Sequence, residues 1–139
     1  MIPIFNLMGS KSVYCGSAGS GQATKLCNNM LLAITMIGVG EAFNLGNNLG
    51  LEPNKLFEIL STSTGSCWSI NSYCPLEGIG PKSPADNKFQ PGFSANLMFK
   101  DLNIALKAIK MSSTSAYFGT KAQENFKKMV NSNWFYFKT

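Results

Sequence analysis

The chain has 139 residues, 45% apolar and only 14% charged, which is one domain's worth and enough to bury a real core. Its net charge of +5 rests on lysine alone, since it contains neither arginine nor histidine. The missing histidine excludes a Ser-His-Asp or Cys-His hydrolase and a His-ligated zinc centre within this chain, and leaves acid–base work to Lys, Asp, Glu, Tyr or Cys.

The first eight residues, Met1 to Met8, are apolar and lack a start signal, and Lys11 to Gly16 reads as a short strand ending in a glycine-rich turn. A lone strand ahead of a helical chain has nothing to pair with. Residues 1–16 are therefore expected to be the end of a preceding domain, and 17–139 an all-α domain. A long helix is expected from Gln22 to Leu49, stopped by Gly50. Leu26, Met30, Ala33 or Ile34, Ile37, Glu41, Leu45 and Leu49 mark one face, while Met36, Val39 and Phe43 make the other sides apolar too. Burial on several sides predicts contact with a second domain or subunit, and so a homo-oligomer formed through this helix. Its apolar run from Met30 to Val39 is ten residues, short of the ~20 that cross a bilayer, so no membrane partner is expected.

A second helix starts near Pro53, with Leu56, Phe57, Ile59 and Leu60 inward, and breaks at Gly65. A short helix is expected within Ser66 to Tyr73. Pro75 to Gly92 holds four of the six prolines and reads as a long loop. Ser94 then caps an amphipathic helix with Leu97, Met98, Leu102, Ala105, Leu106 and Ile109 apolar, and a last helix from about Ala116 to Val130 leads to the aromatic tail Trp134 to Phe137.

The lysines are scattered, with only Lys127 and Lys128 adjacent, and arginine, the usual reader of base edges, is missing. Nucleic acid is not an expected partner. Cys15, Cys27, Cys67 and Cys74 form no C-x-x-C pair and read as reduced thiols, with Cys27 expected to be buried in its helix. No metal site is expected.

Gly16, Gly19 and Gly21 give G-x-x-G-x-G, which is neither the dinucleotide fingerprint nor a P-loop. Directly after them, Lys25 and Asn29 stand four apart and so project from one helix face. An ammonium and a carboxamide so placed suit gripping and protonating an oxygen, and burial of the lysine would favour its neutral form. The bland alternative is a solvated surface lysine. Lys100 and Asp101, after the long loop, are either a solvent-facing pair or a cation aimed at a phosphate or carboxylate.

Three blocks in order resemble the β-hydroxyacid dehydrogenases. They are Gly19-x-Gly21-Gln22-x-x-Lys25-x-x-Asn28-Asn29, then Gly65-Ser66-Cys67-Trp68-Ser69 with Tyr73-x-Pro75, then Phe89-Gln90-x-Gly92-Phe93 followed by Lys100-Asp101-Leu102. Together they look like the helical C-terminal domain of the 3-hydroxyisobutyrate dehydrogenases of eukaryotes, of the 6-phosphogluconate dehydrogenase-like type. The resemblance runs from about Leu7 to Leu106 and weakens from Ser112 to Thr139. It implies NAD as cofactor, a preceding Rossmann domain of which residues 1–16 are a remnant, and a small 3-hydroxy acid as substrate. It also implies Lys25 as general acid/base, Asn29, Gly21 and Phe93 around the substrate, and Lys100 and Asp101 at the cofactor. Oxidation of 3-hydroxy-2-methylpropanoate to its semialdehyde, in valine breakdown in the mitochondrial matrix, is the implied role. A related semialdehyde or glyoxylate reductase, or a non-catalytic dimerisation module, are the alternatives.

Overall fold

Glycine sets where the longest element begins. Gly16 and Gly19 adopt φ 118° and 93°, a left-handed backbone open to glycine at little cost, and Gly19 turns the chain into α1, Ser20–Asn48. The computed structural model describes residues 9–90 and 92–132. Then follow α2 (Pro53–Thr62), α3 (Trp68–Asn71), a 3-10 turn (Pro84–Asn87), α4 (Ala95–Met111) and α5 (Tyr117–Asn131). The domain is all-α among the described residues. The strand expected over Lys11 to Gly16 does not form: the segment is exposed and irregular, and no extended partner lies beside it among the described residues. Met1 to Met8 and the tail from Trp134 lie outside the described residues.

The C-terminus of α1 closes as a Schellman turn. Leu51 N–H donates to the Gly46 carbonyl at 2.9 Å and Gly50 N–H to that of Asn47 at 3.0 Å, with Gly50 at φ 76°. Pro53 opens α2 at its first turn, as expected, but the cap is the Glu52 carboxylate, which accepts from the N–H groups of Asn54 and Lys55. Ser94 precedes α4 as expected, yet its side chain caps nothing.

Helix α1 is a spine with two cores. Its first half contributes Ala33 to a cluster with Ala95, Met98 and Leu102 of α4 and Ala122 and Phe126 of α5. Its second half contributes Val39 and Phe43 to a cluster with Ile70, Cys74 and Ile79, against which Leu56, Phe57 and Leu60 of α2 pack. The face expected from Glu41, Leu45 and Leu49 is instead exposed. The Val39, Phe43 and Gly46 side is buried because Gly46, with no side chain, admits Leu56. Ile59 and Leu97 also turn outward, and Cys27 is exposed rather than buried. By length and composition α1, alone among the described residues, is apolar enough to cross a membrane, which the ten-residue count missed. It packs against each of the other described α-helices.

Candidate active site

The first core brings the first half of α1 against the start of α4, and with them four of the six residues singled out by sequence. Asp101, at 6% side-chain exposure, is the hub. Its Oδ2 accepts from Asn29 Nδ2 at 2.7 Å and lies 3.8 Å from Lys25 Nζ, while Oδ1 lies 3.5 Å from Lys100 Nζ. Leu102 and Met98, neighbours of Asp101 on α4, are almost fully buried and fix which way the carboxylate points. A carboxylate this buried is tolerated because it is paired and hydrogen-bonded. Two ammonium groups around one carboxylate leave a net single positive charge, which suits an anionic ligand.

Lys25 departs from expectation in one respect. Its ammonium is half exposed rather than shielded on two sides, because α1 projects it from the rim of the first core, beyond the Ala33 contact. Asn29 is also more committed than the sequence implied. Its amide donates to Asp101, and its Oδ1 accepts from Asn28 at 3.3 Å. Its remaining N–H and lone pair are what a ligand could use.

Gly21 lies one turn before Lys25 on the same face, and a Cβ added there would meet nothing within 4 Å. The packing of the described residues does not require glycine at this position; close approach of another group would. Phe93 ends the long loop, partly exposed, and its N–H donates to Tyr73 Oη at 3.0 Å. No direct contact ties it to the charged cluster.

Sequence reasoning missed the cleft beside this cluster. A hollow of about 340 Å³ is lined by Asn28, Leu31, Leu32 and Thr35 of α1 and by Cys67 and Trp68 at the start of α3. It sits at the seam between the two cores, and Asn28, bonded to Asn29, links it to the charged hub. The Trp68 ring stacks on Tyr73 with centroids 5.1 Å apart. A Cβ on Gly92 would come within 2.8 Å of the Tyr73 hydroxyl, so the glycine is what lets the loop reach that latch. The spacing of Trp68, Tyr73 and Gly92 carried the signal, but only as a matched motif. Elsewhere, burial pushes the Cys74 thiol up in pKa, with the Asp86 charge adding to the effect and a backbone hydrogen bond from Leu76 opposing it.

The profile of a family described as "NAD-binding of NADP-dependent 3-hydroxyisobutyrate dehydrogenase" matches residues 19–134. The match continues well past Leu106, through the segment where the resemblance was expected to weaken. A probable 3-hydroxyisobutyrate dehydrogenase of Mycobacterium tuberculosis H37Rv is 44% identical over 128 residues, covering 92% of this chain and 44% of that protein. The mitochondrial 3-hydroxyisobutyrate dehydrogenase of Homo sapiens is 45% identical over 126 residues, covering 91% of this chain and 38% of that protein. A solved structure of M. tuberculosis 3-hydroxyisobutyrate dehydrogenase with L-serine superposes with a TM-score of 0.89 at 43% identity, over 93% of this chain and 44% of that one. The chain thus spans less than half the length of these relatives.

Proposed function

The chain belongs to the 3-hydroxyisobutyrate dehydrogenase family, and we propose that it supplies the catalytic helical half of an NAD-dependent dehydrogenase acting on a small 3-hydroxy acid. The observation that carries this reading is the convergence of Lys25, Asn29 and Lys100 on one buried carboxylate. An all-structural role would not require two half-exposed ammonium groups there beside an open glycine.

The donor chemistry fits a dinucleotide at its edge. Lys100, held by Asp101, offers a cation to the cofactor, and Gly21 leaves room for close approach of the substrate. The bulk of a dinucleotide would need a second domain, which by resemblance would be of the Rossmann type. A bound nicotinamide would supply the redox chemistry as the hydride acceptor. Lys25, once its ammonium has released a proton to solvent, takes the proton of the substrate hydroxyl on its neutral Nζ as the carbon–oxygen double bond forms, and in reverse the ammonium gives that proton to the aldehyde oxygen. Asp101 holds that amine in place, and Asn29 orients the oxygen with its spare N–H. Phe93 and the apolar cleft walls exclude water from the substrate's short branch.

The substrate we propose is 3-hydroxy-2-methylpropanoate, oxidised to its semialdehyde in valine breakdown, with the mitochondrial matrix as location by resemblance to the human relative. The exposed Leu45 and Leu49 face of α1 is proposed to pack against a second copy. The test is NAD⁺ reduction with 3-hydroxyisobutyrate, using this chain mixed with a relative's separately expressed Rossmann domain. Activity is expected in the mixture and should fall about 10²–10⁴-fold in Lys25→Ala, the usual contribution of a general acid/base. A complex that forms yet stays inactive would replace the enzyme with a non-catalytic interaction module.

A further inference from the structure

We propose that the hydroxyl pair Thr35–Ser69 is a positioning device that sets the width of the apolar cleft beside the charged hub. The inference rests on the reading above that this site takes a small 3-hydroxy acid. The two oxygens lie 2.9 Å apart, joining the α1 wall of the cleft to the start of α3. Each hydroxyl has one proton. Thr35 Oγ1 already donates to the Leu32 carbonyl at 3.0 Å, so the proton between the pair comes from Ser69. Ser69 is 1% exposed, and among the described residues this is its side chain's one hydrogen bond. It is also, among them, the only side-chain hydrogen bond between α1 and α3.

What the bond fixes is Trp68, the residue before Ser69. Trp68 forms the wall facing Leu31 and Leu32, and it is half exposed, with its ring stacked on Tyr73. Helix α3 is four residues long, too short to hold itself. Its placement depends on Ile70 in the second core and on the Ser69 bond. Losing that bond frees the Trp68 wall to move away from Leu31. The branch of the substrate then meets a wider slot.

Two readouts test this, one independent of the dehydrogenase reading. In a Trp134→Phe background Trp68 is the sole tryptophan, and its acrylamide quenching reports the wall directly. Ser69→Ala and Thr35→Val should raise the quenching constant about twofold, while Thr35→Ser, which keeps the acceptor, should leave it at the parent value. In the assembled enzyme, the ratio of kcat/KM for 3-hydroxyisobutyrate over unbranched 3-hydroxypropionate should fall at least about threefold in Ser69→Ala. One methyl group in an apolar slot is worth roughly 10–200-fold at most. A merely structural defect would lower both substrates in parallel and leave the ratio unchanged. Unchanged quenching in both Ser69→Ala and Thr35→Val, or quenching raised equally by Thr35→Ser, overturns the proposal. Raised quenching with an unchanged ratio overturns its claim on cleft width. A parent enzyme inactive on both acids defeats the dehydrogenase reading instead, and quenching alone then decides the role of the Thr35–Ser69 pair.

Discussion

At the scale of single residues, the cost of Asp101 depends on what its partners do when it is gone. Removing one member of a fully buried ion pair costs about 3–5 kcal/mol because the other charge is stranded. Here Lys25 and Lys100 are half exposed and regain water, so the stranded group is the Asn29 amide alone. Asp101→Ala should therefore lower unfolding free energy by about 1–3 kcal/mol, the cost of one part-buried unpaired donor, read from urea denaturation. Asp101→Asn keeps an acceptor for Asn29 and should stay nearer the parent in stability. Both should lose turnover in the assembled enzyme, since neither holds the two ammonium groups. An Asp101→Asn protein with normal stability and normal kcat would remove Asp101 from the mechanism.

At the scale of elements, the entry to α2 is built on Glu52. The backbone N–H groups of Asn54 and then Lys55 donate to its carboxylate and hold its pKa below the usual 4.5. A lowered folded pKa means the stabilisation is complete above the unfolded value and is lost as pH falls through the folded one. Glu52→Ala should lower Tm at pH 7, and the gap to the parent should narrow as pH falls below the unfolded glutamate value and close once the folded carboxylate is protonated. A gap that stays constant as the pH is lowered through the acid range would mean Glu52 acts through packing. This cap was not legible in the sequence, because glutamate is not among the favoured N-cap residues. Pro53 and Gly50 were legible, since each has a backbone preference of its own. The boundaries of α1, α4 and α5 followed from periodicity for the same local reason. The buried face of α1 did not, because apolar residues surround that helix and only Gly46 against Leu56 decides which side packs. The site divided likewise. Lys25 and Asn29 were readable as neighbours on one helix, whereas their meeting with Asp101 spans 72 positions from Asn29, and the cleft walls come from two elements that no local pattern pairs.

At the scale of the whole molecule, the charge is not spread evenly. Residues 1–94 carry five lysines against five acids, whereas residues 95–132 carry six lysines against Asp101 and Glu124, an excess of four. Helix α4 is thus a basic arm with Lys100 at its head, and Lys107 stands about 10 Å further along the axis at 1.5 Å per residue. Screening decides whether that arm is felt at the site. The Debye length is about 30 Å at 0.01 M salt, so Lys107 and Lys110 would draw an anionic acid toward Lys100, but it is about 10 Å at 0.1 M and shorter above that. In the assembled enzyme, kcat/KM for 3-hydroxyisobutyrate should fall several-fold between 0.01 M and 0.5 M salt with kcat nearly constant, as steering acts on encounter. The double substitution Lys107→Gln with Lys110→Gln should lower kcat/KM at low salt only and flatten the salt slope. These two side chains are exposed and make no contact with the hub, so a change in kcat would point away from steering. The methyl ester of the substrate, lacking the carboxylate, should show no slope. An ester slope as steep as the acid's would place the salt effect on the fold or on the cofactor, and the basic arm of α4 would then have no part in substrate capture.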